Sequence, residues 1–148
     1  MEKKPRRKQF LALFVLYVLA LLALLFLRPP RGTGGWNLVP FETIRGYLRI
    51  LRDPSPWAEA LRRYAWFNFL GNVALFVPLG LFLPFLWQPQ RRFWLFLLTV
   101  TGSIIIVEAA QYLSALGSLD VDDLILNLLG ACLGFLIWKS AERRREKA

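Results

Sequence analysis

Residues 10–27 read FLALFVLYVLALLALLFL, a run of eighteen residues without a charged side chain. A helix of this length and composition matches the thickness of a hydrocarbon core, so the run predicts a membrane-spanning helix. Basic residues precede it, as they also do in a signal peptide. The residues that follow lack a small-residue cleavage pattern, and more apolar runs come later. We therefore expect an uncleaved first span.

The composition of the whole chain points to the same class. Of its 148 residues, 56% are hydrophobic and 20% are charged, whereas soluble domains average about 45–50% and about 25%. Histidine is absent and Cys132 is the single cysteine, which excludes a Ser-His-Asp triad, a thiolate metal cluster and a disulfide scaffold. The net charge of +9 comes from basic residues that flank apolar runs, where they meet anionic lipid. We expect membrane lipids as partners, no nucleic acid and no cofactor.

Three further apolar runs predict three further spans, at residues 64–87, 93–113 and 121–138. The fold class is then all-α, a small bundle of four transmembrane helices within one domain, residues 1–148. The last span has the shortest uncharged run. Asp122 and Asp123 lie at its start and leave only Leu124–Trp138 without a charged side chain. A three-helix bundle with a re-entrant last segment therefore stays open.

The distribution of basic residues predicts the orientation. Four spans place both termini on one side, with twelve Lys and Arg residues there and seven in the loop 28–63. The positive-inside rule then places both termini in the cytoplasm.

The loop 28–63 carries a pattern of its own. Apolar residues recur at helical spacing and arginines follow another face, which predicts an amphipathic helix in the membrane interface, started by Pro40. Ordinary loop residues with chance periodicity are the alternative. Ser55-Pro56-Trp57 predicts a second helix start that leads into the second span. The apolar positions are Phe41, Ile44, Leu48 and Leu51, and the expected head-group contacts are Arg45, Arg49 and Arg52.

Polar side chains inside the spans fall at similar depths. At about 1.5 Å per residue, those on the last three spans all lie in the outer third of the bilayer. Their spacing puts each set on one helix face. Four of the ten acids lie within sixteen residues, more than helix packing ordinarily needs, so we interpret them as functional. The predicted ligand-binding cluster is Asn72, Glu108, Gln111, Asp120, Asp123 and Asn127.

Other residues on the same faces have simpler explanations. Asn68 is expected to fix helix register. Gly130 and Gly134 form a small-residue surface that lets a neighbouring helix approach closely. The carboxylates could also have a purely structural role, because acids at a helix N-terminus are stabilised by the helix dipole.

Four blocks of the sequence resemble the VanZ-like family of small bacterial membrane proteins, in order and in spacing. The family's namesake is associated with low-level resistance to teicoplanin, a lipoglycopeptide, so the resemblance implies a role in the cell envelope and in antibiotic resistance. The blocks are Asn37–Ile44 (NLVPFETI), Asn72–Gly80 (NVALFVPLG), Glu108–Gln111 (EAAQ) and Asp120–Asn127 (DVDDLILN).

Two functions from different classes fit these observations. The first is a membrane module, in which a homo-oligomer is allowed, that binds an amphiphile such as a lipid-linked cell-wall precursor or a lipoglycopeptide. The second is an enzyme that modifies an envelope lipid, with Glu108 and Asp123 as acid and base. In a variant of the second, Asp120, Asp122 and Asp123 hold a divalent cation.

Overall fold

The computed structural model describes residues 4–27, 36–116 and 118–147, with side chains from residue 7 onward. Residues 28–35, the first part of the predicted loop, therefore lie outside the described residues, and Arg28 and Arg31 are among them. Within the described residues the chain forms five α-helices and one pair of short strands. The helices are α1 (Lys4–Phe26), α2 (Glu42–Arg52), α3 (Glu59–Leu86), α4 (Phe93–Leu113) and α5 (Val121–Glu146). The strands are β1 (Trp36–Asn37) and β2 (Leu119–Asp120).

Four of these described helices, α1, α3, α4 and α5, are long and apolar enough to cross a membrane. The chain is therefore an all-α, multi-pass membrane protein, as predicted. Helix α4 has the predicted bounds, and a 3-10 turn at Pro56–Ala58 starts α3 at the predicted place. Helix α5 is continuous for 26 residues and runs on to Glu146, so the last segment is a full span rather than a re-entrant loop.

The two ends of the bundle differ. One end, the α2 side, carries α2, the strand pair, the end of α4 and the start of α5. The other end, the turn side, carries the 3-10 turn Gln88–Arg91 between α3 and α4, the start of α1 and the end of α5. Two hydrogen bonds connect α1 to both ends: Arg7 to the carbonyl of Leu86, and Gln111 to the carbonyl of Leu25.

Helices α3 and α5 run in the same direction and pack through glycines. A Cβ atom on Gly130 would overlap the carbonyl oxygen of Val73, and one on Gly134 would overlap that of Val77. A Cβ atom on Gly80 would likewise overlap the carbonyl oxygen of Ala131. The predicted close approach at Gly130 and Gly134 is confirmed, and it brings the backbones of the two helices into contact.

Aromatic and aliphatic side chains fill the remaining core. Phe96 of α4 packs on Phe135 of α5 with ring centroids 4.7 Å apart, and both rings are buried. Helix α1 contributes Leu21 and Leu25 to this core, while most of its other leucines stay exposed. In a bundle that spans a membrane, those exposed leucines face lipid.

Candidate functional site

The first turn of α5 is built around Asp120. This residue is the N-cap of α5, and its carboxylate accepts a hydrogen bond from the N–H of Asp122 at 2.9 Å. The same carboxylate accepts from Asn37 Nδ2 at 3.2 Å and from Thr43 Oγ1 at 2.7 Å. Asp120 thus caps its own helix and also connects it to the segment that leads into α2.

Asp122 is fully buried and caps a different helix, α2. Its two oxygens accept hydrogen bonds from the N–H groups of Phe41 at 2.6 Å and Ile44 at 3.0 Å. Helix α2 has no side-chain cap of its own, and Phe41 takes a left-handed conformation with φ of 68° at its N-cap position. Because the first N–H groups of a helix lack internal partners, a remote carboxylate is needed there. Helix α2 accordingly begins at Glu42, two residues after the predicted start at Pro40.

The strand pair completes this connection. Trp36 pairs with Leu119, and Asn37 pairs with Asp120, in a parallel register. We call the set Asn37, Thr43, Asp120 and Asp122 the clasp. The clasp holds the start of α2 against the start of α5.

A second group of polar residues lies deeper, between the helices. Asn72 on α3 donates from Nδ2 to Asp123 Oδ1 on α5 at 2.5 Å. Asn127 lies about one turn further along α5, and its Oδ1 is buried with no hydrogen-bond partner among the described residues. Glu108 is buried on α4. We call Asn72, Glu108, Asp123 and Asn127 the buried polar set; each is between 2% and 7% exposed.

Two amides that share these helices serve other contacts. Gln111 donates from Nε2 to the carbonyl oxygen of Leu25 at 2.8 Å, so the structure places it against the end of α1. Asn68 donates to the carbonyl oxygen of Tyr64 at 2.7 Å, within its own helix. This bond lies within α3, so it does not test the expectation that Asn68 fixes the register between helices. Of the predicted cluster, the structure thus pairs Asn72 with Asp123 and places Asp120 in the clasp.

Helix α2 lies on α3 through a tyrosine that the sequence pattern did not single out. Tyr47 is buried, and its ring centroid lies 6.4 Å from that of Tyr64. Ile44 and Leu51 are half-buried on the same helix, whereas Leu48 is exposed. The predicted amphipathic helix is confirmed. Its three arginines, Arg45, Arg49 and Arg52, are exposed on the opposite face.

A compact joint fixes the angle between α2 and α3. Asp53 accepts hydrogen bonds from the hydroxyl of Ser55 at 2.6 Å and from its N–H at 2.9 Å. These bonds lower the pKa of the Asp53 carboxyl below its ordinary value. Arg62 Nη1 donates to the carbonyl oxygens of Asp53 at 2.6 Å and Ser55 at 2.9 Å. The arginine face of α2 is therefore held in place at both ends of the helix.

The clasp joins the first and last of the sequence blocks quoted above, and the buried polar set joins the last block to the two blocks between them. A family model described as VanZ/LLP1 matches residues 14–142, which is most of the chain. The chain belongs to the VanZ/LLP1 family. No curated protein and no solved structure matches it. The matched residues include the clasp and the buried polar set in full.

In this VanZ/LLP1 protein the three neighbouring aspartates have separate partners. Asp120 contacts Asn37 and Thr43, Asp122 contacts the start of α2, and Asp123 contacts Asn72. Among the described residues, no three His, Cys, Asp or Glu side chains are grouped so as to hold a metal ion. The Asp-x-Asp-Asp string of the family block thus serves three different contacts along one turn of helix.

Proposed function

We propose that this VanZ/LLP1 protein binds an amphiphilic envelope lipid, which enters from the surrounding bilayer. The observation that carries the proposal is the side-chain amide oxygen of Asn127, Oδ1, which is buried on the α2 side of the bundle without a donor among the described residues. An unpaired buried acceptor costs about 1–3 kcal/mol. A hydroxyl or amide of a ligand that donates to this oxygen removes the cost.

A register-fixing network would not leave this oxygen unpaired. Buried polar groups that only hold helices together are ordinarily satisfied within the protein. Asn68 is satisfied within its own helix, because its amide donates to the carbonyl oxygen of Tyr64. The Oδ1 of Asn127 is buried and has no partner among the described residues, so the two asparagines differ in this respect.

The arginines of α2 supply the second part of the site. Helix α2 is attached at Asp122, and Asn127 lies five residues further along α5. Five residues rise about 7.5 Å along the axis of α5, so Asn127 lies about that far below the attachment of α2. We propose that the phosphate of the ligand meets Arg45 or Arg49 on the exposed face of α2, while its hydroxyl or amide extends inward to Asn127. Guanidinium groups suit phosphate because they bind it through two hydrogen bonds.

These two contacts define the class of ligand. It carries a phosphate, a hydroxyl or amide donor near it, and a hydrophobic chain that stays in the bilayer. A lipid-linked cell-wall precursor has all three. A lipoglycopeptide such as teicoplanin, implied by the family resemblance, has amides and an acyl chain and is the second ligand to test.

The orientation belongs to the same proposal. With both termini cytoplasmic in the bacterial plasma membrane, the α2 side faces the outer leaflet, where such ligands are exposed. The sequence supports this orientation, with twelve basic residues in the two terminal segments and the turn between α3 and α4 against seven in residues 28–63.

Retention of a fluorescent lipid-linked precursor by the purified protein tests the proposal. The variant Asn127→Leu removes the unpaired oxygen, and Asn68→Leu is the matched control, since it removes another buried asparagine amide on a neighbouring helix. We expect Asn127→Leu to bind about tenfold more weakly, as loss of one buried hydrogen bond implies. Asn68→Leu should bind like the wild type.

One further variant and one further ligand are measured in the same experiment. The double variant Asp123→Ala with Glu108→Gln should lose retention as well, and teicoplanin is measured in parallel with the precursor. Equal retention by wild type and Asn127→Leu would overturn the proposal. So would an equal loss in Asn68→Leu, because the effect would then follow from helix packing alone.

A further inference from the structure

The turn side of the bundle carries a cavity that the proposed function does not use. Its volume is about 680 Å³, and it is lined by Arg7 of α1, by residues 85–87 at the end of α3, and by Gln88, Pro89 and Arg91 of the following turn. None of these residues belongs to the clasp or to the buried polar set. We call this cavity the turn pocket.

Two guanidinium groups of the turn pocket are anchored at the end of α3. Arg7 Nη2 donates to the carbonyl oxygen of Leu86 at 3.2 Å, and Arg91 Nε donates to that of Pro84 at 3.2 Å. These carbonyls lie in the last turn of α3, where helix carbonyls lack internal donors and attract cations. Each guanidinium has five N–H donors, so each keeps donors for a ligand.

The charge around the turn pocket is positive. Arg92, Lys139, Arg143, Arg144 and Arg145 lie on the same side of the bundle. Glu142 is the carboxylate that pairs with Arg91 among the described residues, and its Oε1 lies 3.7 Å from Arg91 Nη1 with both side chains partly exposed. An ion pair this long and this exposed is weak, so an anion with better geometry competes with it.

Most of the remaining lining is apolar, which favours a lipid over a free anion. Phe85, Leu86, Trp87 and Pro89 form this part of the wall, and Gln88 is its one polar residue besides the two arginines. The wall continues along the bundle, because Phe10 packs on Phe85 with ring centroids 4.4 Å apart. Tryptophan is also the residue that favours the head-group level of a bilayer.

We propose that the turn pocket binds the phosphate head group of an anionic phospholipid, with the first part of its acyl chains along Phe10 and Phe85. Basic pockets between transmembrane helices bind anionic head groups, mainly at the cytoplasmic leaflet. The inference does not rest on the proposed function, since the two sites lie at opposite ends of the bundle and share no residue.

Native mass spectrometry of the purified full chain tests this inference. The protein in neutral detergent is titrated with phosphatidylglycerol, with phosphatidylcholine and with inorganic phosphate. The double variant Arg7→Gln with Arg91→Gln removes both anchored guanidinium groups. The matched control, Arg143→Gln with Arg145→Gln, removes the same charge on the same side but outside the pocket.

We expect wild type to retain phosphatidylglycerol about tenfold more tightly than phosphatidylcholine, and the pocket variant to lose this preference. The control should keep it. Glu142→Gln removes the competing carboxylate and should tighten phosphatidylglycerol binding several-fold. This gain is a readout that does not depend on whether the double variant folds.

Three results would overturn the inference. The first is equal retention of the two phospholipids by wild type. The second is an equal loss in the pocket variant and in the charge-matched control, since binding would then follow net charge alone. The third is retention of inorganic phosphate as tight as that of phosphatidylglycerol, since the pocket would then take a free anion rather than a lipid.

Discussion

Asp122 caps α2 through the N–H of Ile44, a residue that lies 78 positions earlier in the chain. The carboxylate is fully buried, and its second oxygen accepts from the N–H of Phe41. Helix caps are ordinarily supplied by the residue just before the helix. Here the cap comes from the first turn of another helix, so Asp122 joins the start of α2 to the start of α5, beside the bonds of Asp120 to Asn37 and Thr43.

Replacement of Asp122 is expected to release α2. In Asp122→Asn the side chain keeps its size but offers an amide, so one of the two backbone N–H groups loses its acceptor. The expected loss of stability is about 1–3 kcal/mol. Hydrogen exchange at residues 41–45 should accelerate, while exchange in α4 should not change. Glu42→Gln is the control, since Glu42 is exposed in the first turn of α2; equal acceleration in both variants would contradict a capping role.

The glycine contacts between α3 and α5 lead to a second prediction. Gly130→Ala and Gly134→Ala each place a methyl group on a backbone carbonyl of α3, which cannot swing away as a side chain could. We expect each variant to lose about 1–3 kcal/mol or more of stability, measured by unfolding in mixed micelles.

Gly102→Ala is the matched control for these variants. It also replaces a glycine inside a spanning helix, but no atom lies within 4 Å of the added methyl group. Since alanine favours helix over glycine by up to about 1 kcal/mol, this variant should be neutral or slightly more stable. Destabilisation of Gly102→Ala to the extent of Gly130→Ala would contradict the packing explanation.

The sequence predicts the spans well because long apolar runs determine them locally. It places α4 at residues 93–113, and it places the start of α3 near Pro56. The clasp is different, since two-residue strands have no periodicity and the capping of α2 by Asp122 joins residues far apart in the chain. One local signal was available: no cap residue stands at Phe41, so the N–H groups of α2 need an acceptor from elsewhere.

The predicted ligand-binding cluster likewise contains contacts that the sequence predicts and contacts that it does not. Asn72 and Asp123 meet as the spacing suggests. Residues three apart on a helix are about 60° apart around its axis, so Gln111 reaches the end of α1 although Glu108 is buried one turn below. In α2 the apolar stripe was correct in period, yet Tyr47 rather than Leu48 is buried. A tyrosine packs its ring while keeping a polar end, which a purely hydrophobic pattern does not detect.

The hydrogen bond between Asn72 and Asp123 leads to a third prediction. A double-mutant cycle with Asn72→Leu and Asp123→Leu isolates the coupling between the two side chains. We expect a coupling of about 0.6–1.7 kcal/mol, the range of hydrogen bonds between transmembrane helices. The free energy of unfolding of the four proteins gives this value. The same cycle with Asn68→Leu in place of Asn72→Leu should give no coupling, and coupling of equal size there would contradict a direct bond.

The orientation of the chain gives a fourth prediction, on which the side assigned to each site depends. Ser118 precedes β2 on the α2 side, and Ser140 lies on the exposed surface of α5 at the turn side. In a Cys132→Ala background, Ser118→Cys should react with a membrane-impermeant maleimide added to intact cells. Ser140→Cys should react only after the membrane is opened. Labelling of Ser140→Cys alone in intact cells would reverse the orientation, so that the arginine face of α2 would meet the cytoplasmic leaflet and the turn pocket the outer one.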